Sequence, residues 1–226
     1  MAYVSYAYAT DSPYYKSSVN DEISNYVDYL NNNTTGTNWY KWEFGQLPYD
    51  ASDYDPDNDG QQQFIEDSLE YLDQEKSLVE NENVVIAHGY ADWGYGFSHP
   101  YTTSLGTSAY GATVYAETYV REREIRGFVW HEATHNYGAW HDDATYKVNG
   151  SEEMYDITPL TMSYLHNEDG QVDTTWEGGS DDPYEYCWGR DNYAWPYFED
   201  RPERHDISRL SDCSLSEVQN WIDSHY

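Results

Sequence analysis

The sequence predicts an α+β protein: an α/β-layered N-terminal part, then an irregular C-terminal part that closes on a helix. Three observations carry this. Short alternating runs rich in Tyr, Val and Trp are interleaved with helically spaced apolar stripes as far as Tyr137. Beyond Gly138 neither period persists until the last turns of the chain. Hydrophobic residues make up 38% and aromatics 18% of the 226 residues, enough for one sizeable core and too aromatic for a disordered chain.

Residues 3–9 alternate and read as a first strand. Val19, Ile23, Tyr26, Val27 and Leu30 then form one stripe, so a helix is expected over 18–30, with Asp21 and Glu22 near its positive end. Asn38 to Phe44 alternates again. After an acidic turn, Phe64, Ile65, Leu69 and Leu72 give the apolar face of a helix at about 61–76. Val84-Val85-Ile86-Ala87 marks a buried strand within 83–88. The Gly- and Tyr-rich stretch that follows predicts a short edge strand near 93–98, and Ala112 to Glu117 another strand. From about Tyr119 to Tyr137 the spacing is helical, with Ile125, Phe128, Val129, Ala133 and Tyr137 inward and Gly138 just past the end. Ser214 reads as the cap of a last helix, with Leu215, Val218, Trp221 and Ile222 inward.

Asp and Glu total 42 against 11 Lys and Arg, a net charge of -31 spread along the whole chain. Near molar salt the Debye length falls to about 3 Å and the self-repulsion is screened, so the composition predicts a protein adapted to high salt. The same charge argues against nucleic acid or an anionic membrane as partner. No stretch approaches a membrane span, and the N-terminus lacks the basic start and apolar run of a secretion signal. Cys187 and Cys213 are candidates for one disulfide; two free thiols are the alternative, and spacing alone leaves both open.

The chemistry concentrates in His131-Glu132-Ala133-Thr134-His135-Asn136-Tyr137-Gly138-Ala139-Trp140-His141. On a helix His131 and His135 share one face, one turn apart, and can bridge a tetrahedral Zn²⁺. Glu132 is placed to reach a water on the metal. Gly138 lets the chain leave the helix sharply and return His141 as a third ligand. Three neutral His ligands leave the fourth position open, as in catalytic zinc sites.

This pattern, HExxHxxGxxH, resembles the signature of the metzincin metallopeptidases. Thr158-Pro159-Leu160-Thr161-Met162-Ser163-Tyr164 is similar to the clan's Met-turn, with Met162 beneath the metal; Met154 is the nearby competitor. The element order and the closing helix after Ser211-Asp212-Cys213 look like the adamalysin branch, whereas Met-Ser-Tyr looks like astacins and serralysins. The resemblance implies a zincin-like fold with a mixed, mostly parallel twisted sheet and an active-site helix. It also implies a single catalytic domain, with an N-terminal subdomain at about 1–138, a C-terminal one at about 139–226, and the cleft between them. Glu132 would be the general base, and Tyr164 a further zinc or oxyanion ligand. An extended peptide would pair with the edge near 93–98.

A second motif, Asp55 to Glu66, fits the D-x-D-x-D-G-x5-E calcium loop, with Asp55, Asp57, Asp59, Gln61 and Glu66 as candidate ligands and Gly60 at the turn. The preceding Gly45, Pro48 and Pro56 do not read as an entering helix, so a solvated acidic turn is the alternative. The combined expectation is a zinc endopeptidase, monomeric and extracellular or at the cell surface, with the cytoplasm left open. A non-catalytic metal-stabilised surface protein, a selective processing peptidase and an aminopeptidase are the rival readings.

Overall fold

The structure is a computed structural model that describes residues 1–11, 13–93, 96–117, 122–139, 146–149, 154–157, 203–205, 210 and 212–226. In chain order the elements are β1 (Ala2–Tyr8), α1 (Lys16–Asn33), β2 (Trp39–Gln46), α2 (Asn58–Lys76), β3 (Glu82–His88), β4 (Gly96–Thr102), β5 (Ser108–Tyr115), α3 (Glu122–His135), β6 (Tyr146–Asn149), β7 (Met154–Ile157), β8 (Glu203–His205) and α4 (Asp212–His225). Single 3-10 turns occur at Ala51–Asp53 and Ala91–Trp93.

Five strands form one sheet in the order β2-β1-β3-β5-β4. All neighbours run parallel except β4, which pairs antiparallel with β5 at the edge. The path explains where the helices lie. From β1 the chain steps one way to β2, then back past β1 to β3. Right-handed crossovers in opposite directions put α1 and α2 on opposite faces. One apolar core accordingly joins α1, α3 and α4 to Val4, Tyr6, Val85, Ala87 and Val114. The other joins Phe64, Ile65, Leu69 and Leu72 of α2 to Ala7, Val84, Ile86 and Ala109. β3, between them, is buried along its whole length, as a parallel strand covered on both faces must be.

The acid content does more than cover the surface. Glu70 of α2 accepts from the Ser104 N–H at 2.8 Å and from its hydroxyl, and Asp73 accepts from Thr103 and, at 3.1 Å, from Thr107. These bonds clasp the β4–β5 hairpin and so hold the edge strand to the helix behind it.

Several expectations are corrected. The edge strand runs 96–102 rather than 93–98, and Trp93 lies in a 3-10 turn. β5 begins four residues earlier than the expected 112, at Ser108. α4 begins at Asp212, so Ser214 is a buried first-turn residue rather than the cap. The region expected to be irregular contains a second, three-stranded sheet, β6-β7-β8, with β6 and β7 antiparallel and β7 and β8 parallel. Its strands are only three or four residues long, too short for alternation to register in the sequence. No described helix is long and apolar enough to cross a membrane.

Candidate metal centre

α3 carries the motif because its apolar stripe packs on the sheet and on α1 and α4. Ile125, Phe128, Val129, Ala133 and Tyr137 are all buried. Three buried polar contacts then fix its rotation. Trp130 Nε1 donates to Glu22 of α1 at 2.6 Å. The Tyr26 and Thr134 hydroxyls are 2.9 Å apart. Asn83 of β3 donates to the Ala133 carbonyl at 2.8 Å and accepts from Asn136 at 2.7 Å. Each satisfies a group that would be costly to leave unpaired in the interior.

The rotation so fixed turns both imidazoles to one point. His131 Nε2 and His135 Nε2 lie 3.0 Å apart, with the rings edge-to-face at 4.5 Å between centroids. Two nitrogens on a tetrahedral Zn²⁺ at its usual bond length would stand about 3.3 Å apart. The pair is therefore spaced for a shared ion with little adjustment. His135 Nδ1 lies 2.8 Å from the Ala139 carbonyl, which can only accept, so that nitrogen carries the proton and Nε2 offers its lone pair. Burial, opposed by the Ala139 carbonyl, lowers the pKa of His135 and keeps it in the neutral form that a metal needs.

The carbonyl of Ala139 reaches His135 because the chain reverses directly after the helix. Gly138 has φ +78° and its N–H bonds to the His135 carbonyl at 2.9 Å, a left-handed exit that suits glycine. Glu132 is buried, with Oε1 3.9 Å from His131 Nε2. Burial alone raises its pKa to about 8. A divalent cation at the two histidines would favour the charged carboxylate again.

Glu132 also lies against the edge strand. A Cβ placed on Gly96 would fall 2.6 Å from Glu132 Cγ and Oε1 and 2.7 Å from Cδ. Gly96, Asn83 and the Ala139 carbonyl are parts of this site that no sequence motif marks.

The remaining expected site residues divide into two groups. His141, Met162, Tyr164 and Cys187 lie outside the described residues, and of Cys213 only the backbone, in α4, is described. The 55–66 motif is described, and its geometry departs from a calcium loop. α2 begins at Asn58, the fourth position of the motif, so Asp59, Gln61 and Glu66 are carried on a helix instead of around an ion. Asp57 is the N-cap, accepting from Gly60 N at 2.9 Å. The Gln61 amide is buried and donates to Thr113 at 2.9 Å. Glu66 faces away, 3.1 Å from His99 Nε2 on β4 and 2.8 Å from the Gln62 amide. Gly60 is needed for another reason: a Cβ there would meet the Asp55 backbone carbonyl at 2.1 Å.

Among the described residues no group of three or more His, Cys, Asp or Glu side chains converges as a metal site, so His131 and His135 stand as a pair with Glu132 beside them. Compared with models of protein families and with curated protein sequences, the chain matches none.

Proposed function

We propose that the protein is a zinc-dependent endopeptidase of the metzincin type, adapted to high salt. The observation that carries this reading is the convergence of His131 and His135 Nε2 at 3.0 Å, with the tautomer of His135 set by Ala139 and a buried carboxylate, Glu132, alongside. The topology supports it too. A mostly parallel sheet with one antiparallel edge strand lies beside the motif helix, the arrangement that the clan resemblance implies. Glu132 adds chemical weight. A carboxylate taken out of water without a basic partner destabilises a fold, and holding two histidines in place does not require it.

His131 and His135, with His141 as the expected third donor, would hold the ion. Bound Zn²⁺ would supply Lewis acidity, lowering the pKa of a water towards about 7 and polarising the scissile carbonyl. Glu132, ionised beside that charge, takes the proton of the attacking water and returns it to the departing amine. Buried walls around Glu132 keep bulk water from competing for that proton. β4, the edge strand of the sheet among the described residues, is the strand proposed to pair with an extended peptide, and Tyr164 is proposed as the second group that steadies the oxyanion.

Hydrolysis of an unstructured protein substrate at molar salt tests the proposal. Zinc addition to the chelator-treated protein should restore cleavage, and Glu132→Gln should lower kcat by about a hundredfold or more while zinc stays bound. A Glu132→Gln protein that cleaves as fast as the parent, or a parent indifferent to chelation, refutes it.

A further inference from the structure

We infer that Gly96 is a positioning residue for Glu132: the missing side chain at the start of β4 is the slot in which the carboxylate lies. The catalytic part of this inference rests on the peptidase reading above; the contact itself does not. The three atoms nearest a Cβ at Gly96 all belong to Glu132, at 2.6, 2.6 and 2.7 Å, closer than non-bonded carbon and oxygen tolerate. Other glycines of the sheet and its loops crowd different partners. Gly111 faces Ile65 and Gly60 faces the Asp55 backbone, which are packing contacts. Gly96 is the place, among the described glycines, where the absent methyl group is replaced by a carboxylate next to a histidine pair.

Neither backbone is free to withdraw. β4 is paired with β5 from Gly96–Val114 through to Thr102–Ser108, and its hairpin is clasped by Glu70 and Asp73. α3 is pinned by Glu22, Tyr26 and Asn83. A side chain at position 96 must therefore displace the Glu132 side chain, which is the one partner with torsions to spare. Moving the carboxylate by about an ångström takes the base out of line with the water, and such a misplacement costs on the order of a hundredfold in rate.

Four proteins decide it: the parent, Gly96→Ala, Glu132→Ala and the double variant. In the metal-free proteins, Gly96→Ala should lower the melting temperature of the parent but not that of Glu132→Ala, where the slot is empty and alanine suits a strand better than glycine. An equal loss in both backgrounds overturns the inference. Should Gly96→Ala fail to fold, a folded double variant supports it and an unfolded one overturns it. In the zinc-loaded proteins, Gly96→Ala should keep the zinc stoichiometry and the KM of the parent while kcat falls about tenfold to a hundredfold. An unchanged kcat overturns the positioning role. A parent that shows no zinc-dependent hydrolysis defeats the peptidase reading, while the melting comparison still decides the contact.

Discussion

His88, at the end of β3, makes the acid stability of this protein predictable. Its side chain is fully buried, and neither ring nitrogen has a hydrogen-bond partner among the described residues. Trp93 packs edge-on at 5.2 Å and Tyr115 at 5.8 Å. Burial lowers its pKa to about 3, an effect that the nearby Tyr90 backbone only partly opposes. Unfolded, the imidazole takes up a proton once the pH drops below about 6.5. Folded, it stays neutral until about pH 3. Between these values the unfolded state holds the extra proton, so stability falls as the pH falls, by about 1.4 kcal/mol per unit. Over the whole window that sums to at most about 5 kcal/mol, a large share of a typical domain's stability. Asp11, raised to about 6 chiefly by burial, and Glu82, also raised by burial, act in the opposite sense, because folded they bind protons more readily than unfolded. The informative quantity is therefore a difference. His88→Phe keeps an aromatic ring against Trp93 and removes the titration. Urea unfolding of parent and variant in constant molar salt, from pH 4 to 7, should give stability curves that converge or cross as acid is added, the variant gaining on the parent at each step. Parallel curves over this range would show that His88 reaches water or a partner in the folded state, and the reasoning fails.

Two further predictions concern backbone devices. Among the described residues nothing lies within 4 Å of a Cβ at Gly138, so the cost of Gly138→Ala is set by the left-handed φ of +78°; thermal unfolding should show a loss of about 1 kcal/mol, with Gly138→Asn losing less. Asp57→Ala removes the N-cap of α2 and should cost about 1 kcal/mol, the same with calcium as with a calcium chelator; a cost that appears only when calcium is present would return the 55–66 segment to an ion.

The core fold was legible because its periods are long. The α1 and α2 stripes and the buried run of β3 extend over enough residues for apolar spacing to separate helix from strand. The edge strand was blurred because it holds Gly96 and Pro100 and is only half-buried, so neither alternation nor propensity marks it; its place at the edge is also what makes Pro100 tolerable. The 55–66 motif admits two readings for a chemical reason. Asp followed by Gly at short range serves a helix N-cap as well as a calcium loop, and the position of Asp57 at the start of α2, invisible in sequence, is what gives it the cap. At the metal centre, His131, Glu132 and His135 are local to one helix and could be read. Gly96, Asn83 and the Ala139 carbonyl act through space from β4, β3 and a reversed chain, and no spacing in the sequence connects them to the motif.

The order β2-β1-β3-β5-β4 has a consequence for how the chain comes together during synthesis. The earliest strand of this sheet in chain order is an inner one. Ala2–Tyr8 finds one neighbour about forty residues later and the other about eighty residues later, at Asn83 to Ala87. Until β3 has left the ribosome, β1 has one naked flank, and until β5 follows, β3 has none to cover it on the far side. A nascent chain stopped before Tyr115 should thus remain protease-sensitive and sticky, and collapse to a protected body should come late and abruptly. Removing residues 2–8 should not trim the sheet but cut it in two.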